Sequence, residues 1–459
     1  MIKGLGFLHF ASTARHRLEA VLYRGFIGIG WHDQALLERY QQAYKDLDLF
    51  PLVESKTIEQ FRVDYGLPVM VRLKREIEAS VKNGKFIFAG HRGCGKSTLL
   101  KRLAIEMQPN HSVVFFSIAD LIEMSGITHV NILYAIALKL LSQATKRSIP
   151  VAEDIKQSLL GWNTTVRTQT SSQATSGEMA LGADINVVTA KLQQEKSFRD
   201  ELEKTFEKRI SDLVGKCDRL AAAIQTATKK PILVIIDDLD KLDLPLVEDI
   251  YRNNIKSLFS PQFRVVFTIP VSAVQEPQVM GALNSEGIVR PHLFPVAKFF
   301  AKVNCHKPDA EPVAKTFDVF LQVLAKRLPN ELVDPQTARQ IVLKSGGVMR
   351  ELVRIARECC TECMVQLEIE PDSDSVKINA EILTVALRNL RHDFARQIGS
   401  DLYALLVGVY KTAETPDASS KGFVKLLHGL MVLEYENDAL WYDVHPIVVD
   451  LLKQKNLIE

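Results

Sequence analysis

A parallel α/β sheet flanked by helices, then an all-helical segment and a small terminal winged helix, is the fold class this sequence predicts. Three observations carry it. Apolar runs rich in β-branched and aromatic residues fall at 86–90, 112–118, 232–237, 264–269 and about 292–297. They alternate with helical patterns, which implies right-handed crossovers and a parallel sheet. Past residue 310 the alternation stops, and residues 396–459 read as helix (401–411), loop, helix (421–429), strand (430–435), turn, strand (439–444) and helix (447–455).

The chain has 459 residues and is 47% hydrophobic, enough to bury a large core and divide into about two to four domains. The expected division is an N-terminal helical segment (1–60), a sheet domain (61–306) with a helical insertion (about 150–228), a helical domain (307–395) and the winged helix (396–459). A net charge of +2 gives no global argument for nucleic acid or membrane. No apolar run approaches the ~18 residues of a membrane span. Six cysteines without a paired framework suit a reducing cytosol, and a cytoplasmic location is expected. Cys359, Cys360 and Cys363 share a helix face; a buried face and a zinc site are the two readings. Lys3, Arg15 and Arg17 precede the first acid, Glu19. That faintly resembles a transit peptide but lacks a signal-peptide pattern, and it is read as part of the helical segment.

The first strand runs into Gly90-His91-Arg92-Gly93-Cys94-Gly95-Lys96-Ser97, then Thr98 and a helical pattern. This is G-x-x-x-x-G-K-[ST] between a strand and a helix, a phosphate-binding loop. Gly90, Gly93 and Gly95 let successive N–H groups turn toward phosphate oxygens, and the helix adds its positive N-terminal end. Lys96 is expected on the β- and γ-phosphates and Ser97 on Mg²⁺. Thr98 completes the nucleotide-binding set. Cys94, inside the loop, is read as a small filler, since nothing marks it as a thiolate. The alternative is a glycine turn with no ligand.

Residues 232–240 read Ile-Leu-Val-Ile-Ile-Asp-Asp-Leu-Asp. Five aliphatic residues imply a central strand buried on both faces. Asp237 is placed to hold Mg²⁺ through water, and Asp238 to orient or deprotonate an attacking water. Asp240 is read as structural or as a cap. The alternative is a buried strand ending in an acidic turn.

Residues 163–178 hold eight Ser or Thr among sixteen and read as a mobile loop. Phe198, Leu202, Phe206, Ile210, Leu213, Val214, Cys217, Leu220, Ala221 and Ile224 then recur at steps of three and four. The pattern predicts one long amphipathic helix, packed on its own domain or on a partner. Further on, Gly346-Gly347 ends one helix. The next carries Arg350, Arg354 and Arg357 on one face, and 368–376 reads as an acidic linker. The winged helix has six basic against nine acidic residues, with Glu434, Glu436, Asp438 and Asp443 on the wing. A wing that seeks phosphates should be basic. Lys421 and Lys425 on the candidate recognition helix are the counter-evidence.

Taken together, the phosphate loop, the inserted helices, "IIDDLD", a strand ending in Thr268, the "SGGVMREL" helix and the terminal winged helix resemble the AAA+ superfamily. More narrowly, they resemble the origin-recognition-like ATPases and the related STAND signalling NTPases, over residues 61–459. The resemblance implies a sensor 1 role for Thr268, a sensor 2 role for Arg350 and an arginine finger acting on a neighbour for Arg290. It also implies an ADP β-phosphate contact for His445, which follows the wing strand. The plain alternatives are a strand residue for Thr268, a surface arginine for Arg290 and a surface or capping histidine for His445. Many AAA+ enzymes have Asp-Glu where this chain has Asp237-Asp238, which puts brisk hydrolysis in doubt but not binding.

The function expected is an ATP/ADP- and Mg²⁺-dependent switch or assembly ATPase acting on protein partners, in bacterial defence or signalling. A homo-oligomer is expected in the ATP state. The alternatives are a DNA-binding ATPase of the initiator, loader or transposition-regulator kind, and a nearly inert nucleotide-bound scaffold.

Overall fold

The computed structural model describes residues 31–459 apart from 53, 82, 162–176, 308, 370–375, 416, 418–419 and 437–438. The basic N-terminus, nearly all of the Ser/Thr-rich loop, most of the acidic linker and the tip of the hairpin lie outside the described residues.

Five strands form one sheet: β1 (Lys85–Gly90), β2 (Ser112–Ser117), β3 (Ile232–Asp237), β4 (Arg264–Pro270) and β5 (His292–Phe294). They are ordered β2-β3-β4-β1-β5, and each neighbouring pair is parallel. Every residue of β3 and β4 is buried, as strands covered on both faces require. The last strand stops at Phe294, short of its expected end. Pro295 has no N–H to continue the ladder.

Ahead of the sheet come α1 (Trp31–Asp46), α2 (Ser55–Phe61) and α3 (Leu67–Ala79), and α4 (Lys96–Met107) leaves the phosphate loop. Between β2 and β3 come α5 (His129–Lys146), which precedes the expected insertion, and within it α6 (Glu153–Leu160), α7 (Gly177–Gln194), α8 (Lys196–Phe206) and α9 (Ile210–Thr228). The single long helix expected over 198–224 is instead α8 and α9, joined by a 3₁₀ turn at Glu207–Arg209. Phe198, Leu202, Phe206 and Ile210 recur at four-residue steps, which drift around a helix of 3.6 residues per turn. The 3₁₀ turn resets the stripe, so both helices pack on α5. The stripe is thus covered by its own domain.

After α10 (Pro277–Ser285) come the lid helices α11 (Ala314–Ala325), α12 (Pro335–Lys344), α13 (Met349–Ile369) and α14 (Ala380–Gln397). Helix α1 packs on α13. The Tyr40 hydroxyl sits 3.2 Å from the Leu332 carbonyl and 3.1 Å from that of Val376. The early helix is therefore built into the lid. Cys359, Cys360 and Cys363 are fully buried there. Burial pushes the thiols of Cys360 and Cys363 up to about 12, so the buried-face reading holds.

The C-terminal unit has α15 (Tyr403–Thr412), α16 (Lys421–His428), β6 (Val432–Glu436), β7 (Leu440–Val444) and α17 (Pro446–Gln454). This is the expected element order, with β6 and β7 antiparallel. It packs on the lid through α14 and α17, and on the sheet domain through α16 and the helical turn Val271–Val274.

One glycine sets how closely the lid approaches the sheet. Gly347 has φ +83°, and a Cβ there would lie 1.8 Å from the Ala297 carbonyl oxygen. Its own carbonyl accepts the Ala297 N–H at 3.3 Å. Gly347→Ala is expected to destabilise the protein by at least about 2 kcal/mol, since the left-handed backbone alone costs about 1–2 kcal/mol. Gly215→Ala, in α9 with open space at its Cβ, is expected to be neutral or stabilising by up to ~1 kcal/mol. Thermal or urea melts of the two variants check the pair.

Candidate functional site

The strand order brings the phosphate loop after β1 and the acidic turn after β3 to the same end of the sheet, with β4 between them. Gly93 has φ +80°, and a Cβ there would meet Arg350 Cβ at 2.6 Å. The Gly93 carbonyl accepts the Arg350 N–H at 2.9 Å. Loop and lid are thus in backbone contact.

Lys96 opens α4 and is 4% exposed. Its Nζ donates to the carbonyls of Gly90 (2.9 Å) and His91 (2.6 Å) and pairs with Asp240 Oδ2 at 2.7 Å. Asp240, expected to be structural, is the lysine's carboxylate partner. Ser97 lies close enough to Asp237 to have a lowering effect on its pKa, which brings the two expected metal ligands together. Thr98 Oγ1 accepts the Leu52 N–H at 3.2 Å, tying the segment before α2 to the loop. Cys94 is buried and its thiol is pushed up to about 11 by burial, as a filler requires.

Asp237, Asp238 and Asp240 are all buried, with ligand oxygens within 4.8 Å of one another. Burial, then the charges of Asp238 and Asp240, push the Asp237 carboxyl up to about 7. Two lysines, Lys96 and Lys241, pair with Asp240 and Asp238 and leave Asp237 without a cation, so the cluster fits a divalent cation held by Asp237 and Ser97. Asp238 sits at φ +70°, a conformation that costs a non-glycine residue on the order of 1 kcal/mol. Its Oδ2 accepts from Ser117 Oγ at 2.7 Å, and Lys241 Nζ lies 2.7 Å from its Oδ1. Ser117 holds Oδ2, while Oδ1 is buried beside Lys241 and has no hydrogen-bond partner among the described residues.

The pocket is lined by the loop, Asp238, Asp240, Arg92 and Arg350 on its polar side. Its apolar side has Leu49, Pro51, Phe61, Val63, Tyr65, Val323 and Val353, a wall suited to a nucleobase. Among the described residues Arg350 has no ion-pair partner. Arg354 pairs with Glu351 and Asp393, and Arg357 lies over the Tyr44 ring and 3.9 Å from Asp48. Of the three arginines on one face, only Arg350 lines the pocket.

Five expected site residues do not line it: Gly90 and Asp237, which lie behind the loop next to residues that do, and Thr268, Arg290 and His445. Thr268 is fully buried; its Oγ1 donates to the Ile236 carbonyl and accepts the Leu239 N–H at 3.0 Å, bracing the acidic turn. Arg290 is on the surface, 3.6 Å from Glu436, outside the pocket of its own subunit. His445 is fully buried against Phe394. Its Nδ1 accepts the Ile447 N–H at 3.2 Å, which caps α17. Burial lowers its pKa to about 3, so the ring is neutral. The phosphate contact expected of His445 is replaced by this capping role, because α17 needs an acceptor for its first free N–H groups.

The C-terminal unit reaches the loop through another histidine. His91 is buried, and its Nε2 accepts the Glu434 N–H at 2.9 Å. Burial and then Lys96 lower its pKa to about 3, which keeps that nitrogen an acceptor. His91 escaped sequence reasoning because the loop pattern leaves its position free. Asp240 and Ser117 escaped it because their partners are distant in sequence.

Residues 82–270 match the KAP family P-loop domain, in agreement with the P-loop reading of the sequence. Among solved structures, the crystal structure of Cdc6p from Pyrobaculum aerophilum is similar over 89% of this chain and 97% of that chain, at 12% identity and a TM-score of 0.37. A comparison with curated proteins returns no match. No helix among the described residues is long and apolar enough to cross a membrane.

The raised Asp237 carboxyl gives a pH test. A group whose folded pKa lies above its unfolded value stabilises the fold fully below the unfolded pKa, and loses that contribution as pH rises through the folded one. Without Mg²⁺ or nucleotide, the wild type should therefore lose stability between about pH 4 and about pH 7. Asp237→Asn should melt above wild type at pH 8, with the gap closing near pH 4. Differential scanning calorimetry at the two pH values reads it.

Proposed function

With a P-loop NTPase domain as premise, we propose that this protein is an ATP-binding, slowly hydrolysing molecular switch acting on protein partners. The observation that carries the reading is Arg350. It comes from the lid, lines the same pocket as Lys96, and has no ion-pair partner among the described residues. A γ-phosphate has differential contact to offer there: it draws Lys96 from Asp240 and engages Arg350. A ligand shifts a conformational equilibrium by such differential contact and by nothing else. Mg²⁺ would sit at Ser97 and Asp237 and supply charge neutralisation. The engagement of Asp238 by Ser117 and Lys241 supports slow turnover until that contact is released.

The contact between His91 and Glu434 makes the C-terminal unit the reporter of the loop's state. The DNA-binding alternative is disfavoured by the same unit. Helix α16 packs on Val271–Val274, and Glu434 on the wing is buried.

Lys96→Ala should abolish the stabilisation by Mg-ATP, which at a hundred times Kd is ~2.7 kcal/mol. An ATP-induced thermal shift as large in the variant as in the wild type would sink the assignment of the pocket.

Arg290 remains a proposed finger acting in trans, and its exposed position suits that role. Specific ATPase activity should then rise with protein concentration, and Arg290→Ala should flatten the rise while leaving ATP binding unchanged. A concentration-independent rate in both proteins would remove the trans role.

A further inference from the structure

Away from the nucleotide pocket, a sulfur, a nitrogen and an oxygen ligand meet where two distant parts of the chain touch. Cys305 and His306 are consecutive in the connector between β5 and α11, and Asp443 lies on β7. One ligand atom from each lies within 4.8 Å of both others. His306 Nε2 is 3.0 Å from Asp443 Oδ1 and 3.1 Å from Oδ2. Ligands of a tetrahedral zinc ion stand roughly 3.3–3.6 Å apart, given the usual Zn–S, Zn–N and Zn–O lengths. His306 and Asp443, ion-paired at 3.0 Å, stand closer than that, so a metal would replace their direct contact.

We propose that Cys305, His306 and Asp443 form a zinc(II) site, completed by a water, that clips the connector to the C-terminal hairpin. The donor set decides the metal. Magnesium and calcium take oxygen ligands, whereas thiolate with imidazole selects zinc among the abundant divalent ions. The three aspartates of the nucleotide pocket are the opposite case, all oxygen.

The surroundings hold the ligands in place, as outer-shell partners do at metal sites. The Val444 N–H donates to Asp443 Oδ1 at 2.7 Å. The His306 ring stacks on Tyr410 with centroids 4.1 Å apart and planes at 17°. The Cys305 thiol donates to the Lys302 carbonyl at 3.1 Å, a bond that ionisation on a metal would give up. All three ligands line one cleft with Trp441, whose buried indole N–H has no acceptor among the described residues. A polar occupant of the cleft therefore has a donor available.

The consequence is mechanical. Cys305 and His306 lie on the connector that leads from the sheet domain into the lid, and Asp443 is paired through β7 to β6, whose Glu434 touches the phosphate loop through His91. Metal at this site would fix the hairpin to the connector and resist undocking of the C-terminal unit.

The test is a titration of the full-length, metal-stripped protein with Co²⁺, with Mg²⁺ in excess to occupy the nucleotide-site carboxylates, followed by Zn²⁺. One equivalent of Co²⁺ should produce a thiolate-to-cobalt charge-transfer band, which one equivalent of Zn²⁺ removes. Cys305→Ser and Cys305→Ala should lose the band. His306→Gln and Asp443→Asn should keep it with affinity weakened by more than the roughly 10–100-fold that loss of an outer-shell partner costs. Cys217→Ser, at a buried cysteine outside both sites, should leave it unchanged. Absence of stoichiometric binding, or a band that survives both Cys305 variants, overturns the proposal.

Discussion

A lysine ammonium and three carboxylates share one buried corner at the end of a parallel sheet. Isolated charges of that kind cost several kcal/mol each to remove from water, so the fold around them is organised to compensate. Lys96 receives two backbone carbonyls and a carboxylate. Asp238 receives a hydroxyl and a second lysine. Asp237 is left with a serine, a backbone N–H and a raised pKa. The corner is left with an Asp238 oxygen that has no hydrogen-bond partner among the described residues and with a surplus of negative charge, which a divalent cation is suited to balance. Breaking any one pair leaves a buried charge behind, which is the costlier event. The phosphate loop is thus held in a defined conformation, and a phosphate must displace a carboxylate to reach Lys96.

The lid and the C-terminal unit touch that corner through short-range contacts. Gly93 and Gly347 have no side chain, and their backbones meet Arg350 and Ala297 at distances that a Cβ would prevent. His91 hands the loop's position to Glu434. The Tyr435 hydroxyl, 2.7 Å from the Gly346 carbonyl, joins the hairpin to the same glycine pair. Packed interfaces of this kind hold discrete arrangements rather than deforming continuously, which is the property a switch needs.

Sequence reasoning reached the sheet because each strand is a short apolar run with a distinct end, and it reached the loop because the glycine-lysine spacing is unusual. It placed Lys96, Ser97 and Arg350 around one pocket, with Asp237 next to Ser97. What escaped it was pairing at a distance. Nothing local marks Asp240 as the partner of Lys96, Ser117 as the partner of Asp238, or Glu434 as the neighbour of His91. The long amphipathic stripe also misled, since a run of four-residue steps looks continuous until the drift it imposes is followed around the helix. His445 was legible as a residue that begins a helix, yet family resemblance suggested a phosphate contact that its burial replaces with capping.

The docking of α1 into the lid has a kinetic side. Tyr40 is 336 residues from Val376, whose carbonyl it binds. At ribosomal rates of about 5–20 residues per second, that separation amounts to roughly 17–67 s of synthesis. During this interval the apolar face of α1 has no partner, while the sheet domain that follows it can already fold. Such a face is exposed to aggregation and to chaperones. Assembly of the apolar pocket wall, which needs Val323 and Val353 from the lid beside Leu49 and Phe61, must therefore wait for the later half of the chain. A nucleotide held by that wall would bind a nearly finished protein and not a nascent one.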